Sequence, residues 1–210
     1  MGFKNLREFI SDLEQRGELF RVRLPVSNSL EMTEIQTRLL SEKGPAVLFE
    51  NIIKADGQQA QMPVLSNLFG TVNRVALGLN KEVSELRELG EQLAFLRQPA
   101  PPGGWREALD MLPLLKTVMS MKPKLTHRAP CQEIVLTDEA VDLSVLPVQR
   151  CWPDEPAPLI SWPLIVTQGQ EGNTNLGIYR MQILGKDKTL MRWLAHRGGA
   201  GHAAEAASAG

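Results

Sequence analysis

The chain has 210 residues, is 43% hydrophobic and 22% charged, and carries a formal net charge of −1. That is an ordinary composition for a soluble globular protein, with room for one large domain or two small ones. The near-neutral balance removes any global electrostatic case for nucleic acid as a partner, though a local basic pocket stays open. No window approaches the roughly 18 apolar residues of a membrane-spanning helix. The opening MGFKNLREFISDLEQRG has charges inside its apolar pattern, unlike a signal peptide, and Leu6 stands where a myristoylation signal has Ser or Thr. Cys131 and Cys151 form no CxxC and no ligand cluster, which reads as two reduced thiols of a cytoplasmic protein.

Leu6, Phe9, Ile10 and Leu13 fall on one helical face, and Gly17 is a natural stop. Residues 19–24 (LFRVRL) alternate as a strand does. Met32, Ile35 and Leu39 support a second helix closed by Gly44 and Pro45. Residues 46–49 and 63–67 read as short buried strands, and Thr71 caps a short helix running to Leu79. Val83, Leu86, Leu89, Leu93 and Leu96 form the apolar face of an amphipathic helix. The breaker QPAPPGG at 98–104 follows, then a short helix near 105–111. From Gln132 the pattern predicts strands only, at 133–136, 159–168, 175–184 and 189–194, with hairpin turns at 170–173 and 185–188. These signals give an α+β chain. Its parts are an α/β domain at 1–104, a connecting segment at 105–131, an unfinished all-β barrel or sandwich at 132–199 and a small-residue tail at 200–210. The tail, GHAAEAASAG, has few large side chains to bury and is expected to be disordered or a frayed helix. An open β unit exposes an unpaired edge, so the chain alone is expected to be marginally stable or aggregation-prone unless another chain covers it.

The chemistry-bearing residues concentrate between Asn173 and Gly199. Arg180 shares a predicted strand face with Ile178, opposite Tyr179 and Met181. It is either an exposed arginine of a barrel face or a clamp for a carboxylate or other anion. Asn175, just past a turn, is either a turn residue or an oxygen ligand for a hard cation. Arg192, His196 and Arg197 surround Trp193 and Leu194 and lead into Gly198 and Gly199. They form either a solvated loop or a phosphate cradle of side chains and backbone N–H groups. The Pro- and Trp-rich run from Cys151 to Trp162 is a cover loop or the wall of a flat pocket. No P-loop, GxGxxG, HExxH or Ser-His-Asp pattern is present.

Together with LREFISDLEQRGEL, GPAVLFEN, MPVLSNLFGT, PAPPGGW, RAPCQE, CWPDEPAPLISW, NLGIYRMQ and MRWLAHRGGA, these residues closely resemble the N-terminal part of the UbiD family. Its members are 3-octaprenyl-4-hydroxybenzoate carboxy-lyases, decarboxylases that depend on prenylated FMN. The likeness covers residues 3–200 and is nearest to members of the ubiquinone pathway. It implies an N-terminal α/β domain, a flavin-reductase-like split β-barrel and a C-terminal domain that this sequence does not show. It implies Asn175, and His196 beside it, as residues of a manganese site that bridges to the flavin phosphate. Ile178, Tyr179 and Arg180, then Arg192, Trp193 and Leu194, then Arg197 and Gly198 resemble the three flavin-binding segments. Arg180 also resembles the active-site arginine beside the substrate carboxylate. The resemblance further implies a polyprenylated 4-hydroxybenzoate substrate, a homo-oligomer in the full-length family and contact with the inner membrane surface. In this chemistry the flavin is the electron sink and the protein supplies position and electrostatics. The family's second metal carboxylate and its acidic proton donor lie beyond Gly210, so this chain alone is expected to bind metal weakly and to turn over negligibly.

Overall fold

A computed structural model of the chain describes residues 2–97 and 129–209, together with Gly104, Lys116, Thr126 and His127. The linker and short helix expected between 98 and 111 lie outside the described residues, Gly104 excepted. The first unit begins with helix α1 (Leu6–Gln15), whose Asn5 side chain accepts the Glu8 N–H at 3.0 Å. Gly17, at φ 72°, ends it: the Glu18 N–H reaches Leu13 O at 2.8 Å and the Gly17 N–H reaches Glu14 O at 3.1 Å. Strands β1 (Leu19–Val22) and β2 (Val26–Ser27), helix α2 (Glu31–Ser41), and strands β3 (Ala46–Phe49), β4 (Ile52–Ile53) and β5 (Val64–Ser66) follow. Helices α3 (Val72–Gly78) and α4 (Leu86–Arg97) complete the unit.

The sheet order is β1-β3-β5, parallel between β1 and β3 and antiparallel between β3 and β5. All four residues of β3 are buried, because both its faces are covered. Val47 and Phe49 pack with Met32 beneath α2, while Ala46 and Leu48 pack with Phe9 and Leu13 beneath α1. The apolar face expected at 83–96 is less used. A 3-10 turn at Val83–Glu85 precedes α4, and α4 buries no residue among the described ones.

Arg74 is the largest fully buried side chain, 1% exposed. Its Nε donates to Leu68 O at 3.1 Å, Nη2 to Gly44 O at 2.9 Å and Asn67 O at 3.2 Å, and Nη1 to Glu18 Oε2 at 2.8 Å. A buried guanidinium costs little only when its donors are satisfied in this way. It ties the β1 approach, the turn before β3 and the loop after β5 to α3.

The second unit is pinned to the first by residues 28–30. The Asn28 Nδ2 donates to Val148 O at 2.8 Å, the Arg150 N–H to Asn28 O at 3.0 Å and the Leu30 N–H to Arg150 O at 2.9 Å. Short 3-10 turns lie at Pro130–Gln132, Asp138–Ala140 and Leu143–Val145. The strand expected at 133–136 is absent: that stretch is irregular chain between the first two turns, with Ile134 and Val135 81% and 71% exposed. A β-prone tetrapeptide with no partner strand has nothing to form a ladder with.

Strands β6 (Leu159–Ile160), β7 (Leu164–Gln168), β8 (Thr174–Ile178), β9 (Met181–Ile183) and β10 (Thr189–Met191) make two small antiparallel sheets, β10-β9-β6 and β7-β8. The two long strands expected at 159–168 and 175–184 are each interrupted. Ile160 pairs with Met181 and Leu164 with Ile178, so Ser161, Trp162 and Pro163 oppose only Tyr179 and Arg180. That mismatch is a bulge, placed where Pro163 lacks a ladder N–H. No sheet among the described residues closes into a barrel. Of the two alternatives for the tail, the helical one is found: residues 198–209 form helix α5 (Gly198–Ala209), packed on β7 and β8.

Replacing Arg74 by Met is expected to lower unfolding stability by about 2–4 kcal/mol, because several carbonyl partners lose a buried donor; urea denaturation checks it. Arg21 donates to Glu14 Oε2 at 2.9 Å and Glu50 Oε1 at 2.6 Å, and these hydrogen bonds hold both carboxyls below their ordinary value of 4.5. Their stabilisation is therefore complete above that value and lost as pH falls through the lowered ones. Tm measured from about pH 5 to about pH 3 should fall less steeply in Arg21→Gln than in the unaltered chain, by a modest, salt-sensitive margin.

Candidate functional site

The β7–β8 hairpin has an apolar outward face and a more polar inner one. Leu164, Val166, Leu176 and Ile178 point outward and are 69%, 67%, 65% and 51% exposed. Thr167, Asn175 and Tyr179 alternate with them and turn toward α5. Thr167 and Asn175 are direct register partners, so the hairpin sets them side by side.

The convergence point is the Tyr179 hydroxyl. It accepts the Gly199 N–H at 2.9 Å and the Asn175 Nδ2 at 3.1 Å. The Tyr179 ring, 7% exposed, lies 5.0 Å from the Trp193 ring at a tilt of 59°. Thr167 Oγ1 lies 3.4 Å from Asn175 Nδ2 and 2.9 Å from His202 Nδ1 on α5. Two glycines permit this closeness. A Cβ on Gly198 would stand 2.5 Å from Asn175 Oδ1, and one on Gly199 would stand 2.5 Å from the Trp193 ring and 2.9 Å from the Tyr179 hydroxyl.

The structure thus gathers Asn175, Tyr179, Trp193 and Gly198, with Gly199, at the N-terminus of α5. Ile178, Arg180, Arg192, Leu194, His196 and Arg197 are exposed around it, and no hydrogen bond joins His196 to Asn175. Arg180 follows Tyr179 in the bulge, and its charge reaches the Cys151 thiol. Burial is the main influence on that thiol and raises its pKa. Among the described residues, no carboxylate pairs with Arg180, Arg192 or Arg197, and no group of three His, Cys, Asp or Glu side chains is placed to hold a metal ion. Sequence reasoning missed Thr167 and His202. The hairpin register could have found Thr167; nothing in a small-residue tail marks His202.

Chemically, these are parts of an anion site. At the start of α5 the Gly199 N–H is taken by the Tyr179 hydroxyl and those of Ala200 and Gly201 by Arg197 O, so the Gly198 N–H, with the partial positive charge of the helix end, is what faces an anion. Arg197 directly precedes Gly198 in the chain, and Arg180, Arg192 and Arg197 are exposed with no acidic partner among the described residues. Asn175 spends its amide nitrogen on two hydroxyls and leaves Oδ1 beside Gly198, as an oxygen ligand for a hard cation requires. These groups are of the kind a phosphate uses, and Asn175 Oδ1 is one oxygen of the kind a hard cation takes.

Comparison with known proteins gives the family and the fold. Residues 10–93 match the 3-octaprenyl-4-hydroxybenzoate carboxy-lyase N-terminal domain and residues 123–210 match the 3-octaprenyl-4-hydroxybenzoate carboxy-lyase Rift-related domain. The chain belongs to the UbiD family. Among solved structures, it is similar to the vanillic acid decarboxylase of Sedimentibacter hydroxybenzoicus, at 26% identity and a TM-score of 0.74 over 100% of this chain and 41% of that one. The UbiD-class enzyme HmfF from Pelotomaculum thermopropionicum, in complex with FMN, shares the fold at 23% identity and a TM-score of 0.72 over 98% of this chain and 40% of that one. So does the 3,4-dihydroxybenzoic acid decarboxylase of Enterobacter cloacae, at 20% identity and a TM-score of 0.74 over 100% and 41%. The chain spans about 40% of the length of these structures.

Gly199→Ala should push Trp193 and Tyr179 apart and lower stability by about 1–3 kcal/mol, the usual cost of overpacking. A shifted tryptophan emission together with a lower Tm checks it; an unchanged spectrum would show that the rings do not meet at Gly199.

Proposed function

We propose that this chain is the flavin-phosphate-holding part of a UbiD-type carboxy-lyase. Its reaction is the decarboxylation of 3-polyprenyl-4-hydroxybenzoate to 2-polyprenylphenol in ubiquinone biosynthesis. The observation that carries the reading is the junction of Asn175, Tyr179, Gly198 and Gly199 at the start of α5, with Arg180, Arg192 and Arg197 exposed and without an acidic partner among the described residues. Prenylated FMN, when bound, would supply the electron sink for loss of carbon dioxide. Asn175 Oδ1 would hold a manganese ion, with His196 near it, to offset the charge of the phosphate. Gly198, Arg192 and Arg197 would hold the phosphate itself. Trp193 and Leu194 would line the flavin with Ile178, and Arg180 would orient the substrate carboxylate and offset the cost of its burial.

The substrate's polyprenyl tail and the ubiquinone pathway rest on the sequence resemblance. The solved structures named above carry other aromatic acids, vanillic and 3,4-dihydroxybenzoic, in their names. The same resemblance supports a cytoplasmic protein working at the inner membrane surface as a homo-oligomer; one HmfF structure is described as an evolved dimeric form. No helix among the described residues is long and apolar enough to cross a membrane. A second reading, a non-catalytic flavin-binding or assembly part completed by a separate polypeptide, is favoured by one observation. The outward hairpin face of Leu164, Val166, Leu176 and Ile178 is apolar and uncovered.

Titrating FMN into the purified chain should quench flavin fluorescence, with binding too weak to survive gel filtration. Arg192→Ala combined with Arg197→Ala should weaken it tenfold or more, about what loss of charge-assisted hydrogen bonds gives. Arg180→Ala should leave FMN affinity within about threefold while abolishing the response of the bound flavin to 4-hydroxybenzoate. Unchanged FMN binding in the double variant would overturn the phosphate assignment.

A further inference from the structure

We propose that His202, acting through the Thr167 hydroxyl, sets which atom of the Asn175 side chain faces the bound group, with Tyr179 as the second anchor. Its functional meaning rests on the cation–phosphate reading above, but the orientation itself is a property of the ligand-free chain.

The argument follows hydrogens. Thr167 Oγ1 stands 2.9 Å from His202 Nδ1 and 3.4 Å from the Asn175 amide. A threonine hydroxyl has one hydrogen to give. When His202 carries its proton on Nε2, its Nδ1 lone pair takes that hydrogen. Thr167 can then only accept from Asn175, so the amide nitrogen must face it. The Tyr179 oxygen, already accepting the Gly199 N–H, receives the same nitrogen at 3.1 Å. Both hydroxyls therefore hold the NH2 group inward, and Oδ1 is left beside Gly198. Were the His202 proton on Nδ1, the Thr167 hydrogen would be released toward Asn175. The constraint on the amide from this side would then be lost, and an amide turned over would present NH2 to the site, which no cation accepts.

His202, Thr167 and Tyr179 are thus positioning residues. They touch neither flavin nor substrate in this account and act through Asn175. This gives Tyr179 a different place from its neighbours Ile178 and Arg180: its hydroxyl works behind the site rather than in it. It also gives the tail a purpose, because α5 carries both the glycines that approach Asn175 and the imidazole that orients it.

The test uses the whole chain, first without ligand. Side-chain amide hydrogen exchange of Asn175, measured by 15N NMR and assigned through loss of the signal in Asn175→Asp, should be slow in the unaltered chain. Thr167→Val and His202→Phe should speed it about tenfold. Thr167→Ser, which keeps the hydroxyl, and His202→Asn, which keeps an acceptor near the Nδ1 position, should retain slow exchange. The second measurement is FMN affinity with and without Mn2+. Thr167→Val should remove the Mn2+-dependent gain, since losing a partner of a metal ligand usually costs about 10–100-fold in metal affinity, while metal-free FMN affinity stays within twofold. If His202→Phe loosens α5, seen as lost helical circular dichroism, the Val and Ser variants of Thr167 decide the matter. Unchanged Asn175 exchange in Thr167→Val overturns the relay. If Mn2+ does not tighten FMN binding to the unaltered chain, the cation reading falls instead, and the exchange data still decide the orientation.

Discussion

The Tyr179 hydroxyl is where three separate pieces of chain are made to meet: the β8 strand end, the 192–197 loop and the first turn of α5. It accepts the Gly199 N–H at 2.9 Å and the Asn175 amide at 3.1 Å, while its ring packs on Trp193. Without that oxygen, the buried Gly199 N–H at the helix start would lose its partner and the half-buried Asn175 amide the nearer of its two. Everything assigned to the site depends on it, since the same contacts that fix α5 also aim the Asn175 oxygen and bring Gly198 against it.

The bulge at 161–163 follows from the same constraint. With three residues opposing two, the ladder shifts by one step between the β6–β9 pair and the β7–β8 pair. The shift ends β8 at Ile178 and frees Tyr179 and Arg180 from regular pairing. Tyr179 turns in and Arg180 stays exposed, so adjacent residues serve different parts of the site. The N-terminal unit supplies rigidity at a distance. Its doubly covered β3 and the buried Arg74 clamp make a firm base, and residues 28–30 fasten the second unit to it.

Much of this was legible from the sequence. The first unit's elements follow the periodicity at Leu6–Leu13, Met32–Leu39 and 46–49, because each apolar run has a core to bury against. The two hairpin turns were readable from their Gly, Asn and Asp residues. What the sequence hid has physical causes. The run at 133–136 has the residues of a strand but no partner. The breaks at Pro163 and Tyr179 depend on a register offset between two distant segments. The tail lacks bulk, yet small residues are what let a helix lie this close to Tyr179, Trp193 and Asn175. The arginine and asparagine positions were found as candidates, but the roles of Thr167 and His202 belong to contacts made only on folding.

The central claim is that the junction of hairpin and α5 holds a flavin phosphate with the Asn175 oxygen turned outward. A crystal structure of the chain grown with FMN and Mn2+ tests it most directly. The account predicts a phosphate oxygen about 2.9 Å from the Gly198 nitrogen, with Asn175 Oδ1 on the metal and its Nδ2 still on Tyr179. Flavin ordered elsewhere on the chain, or a phosphate remote from Gly198, would contradict it.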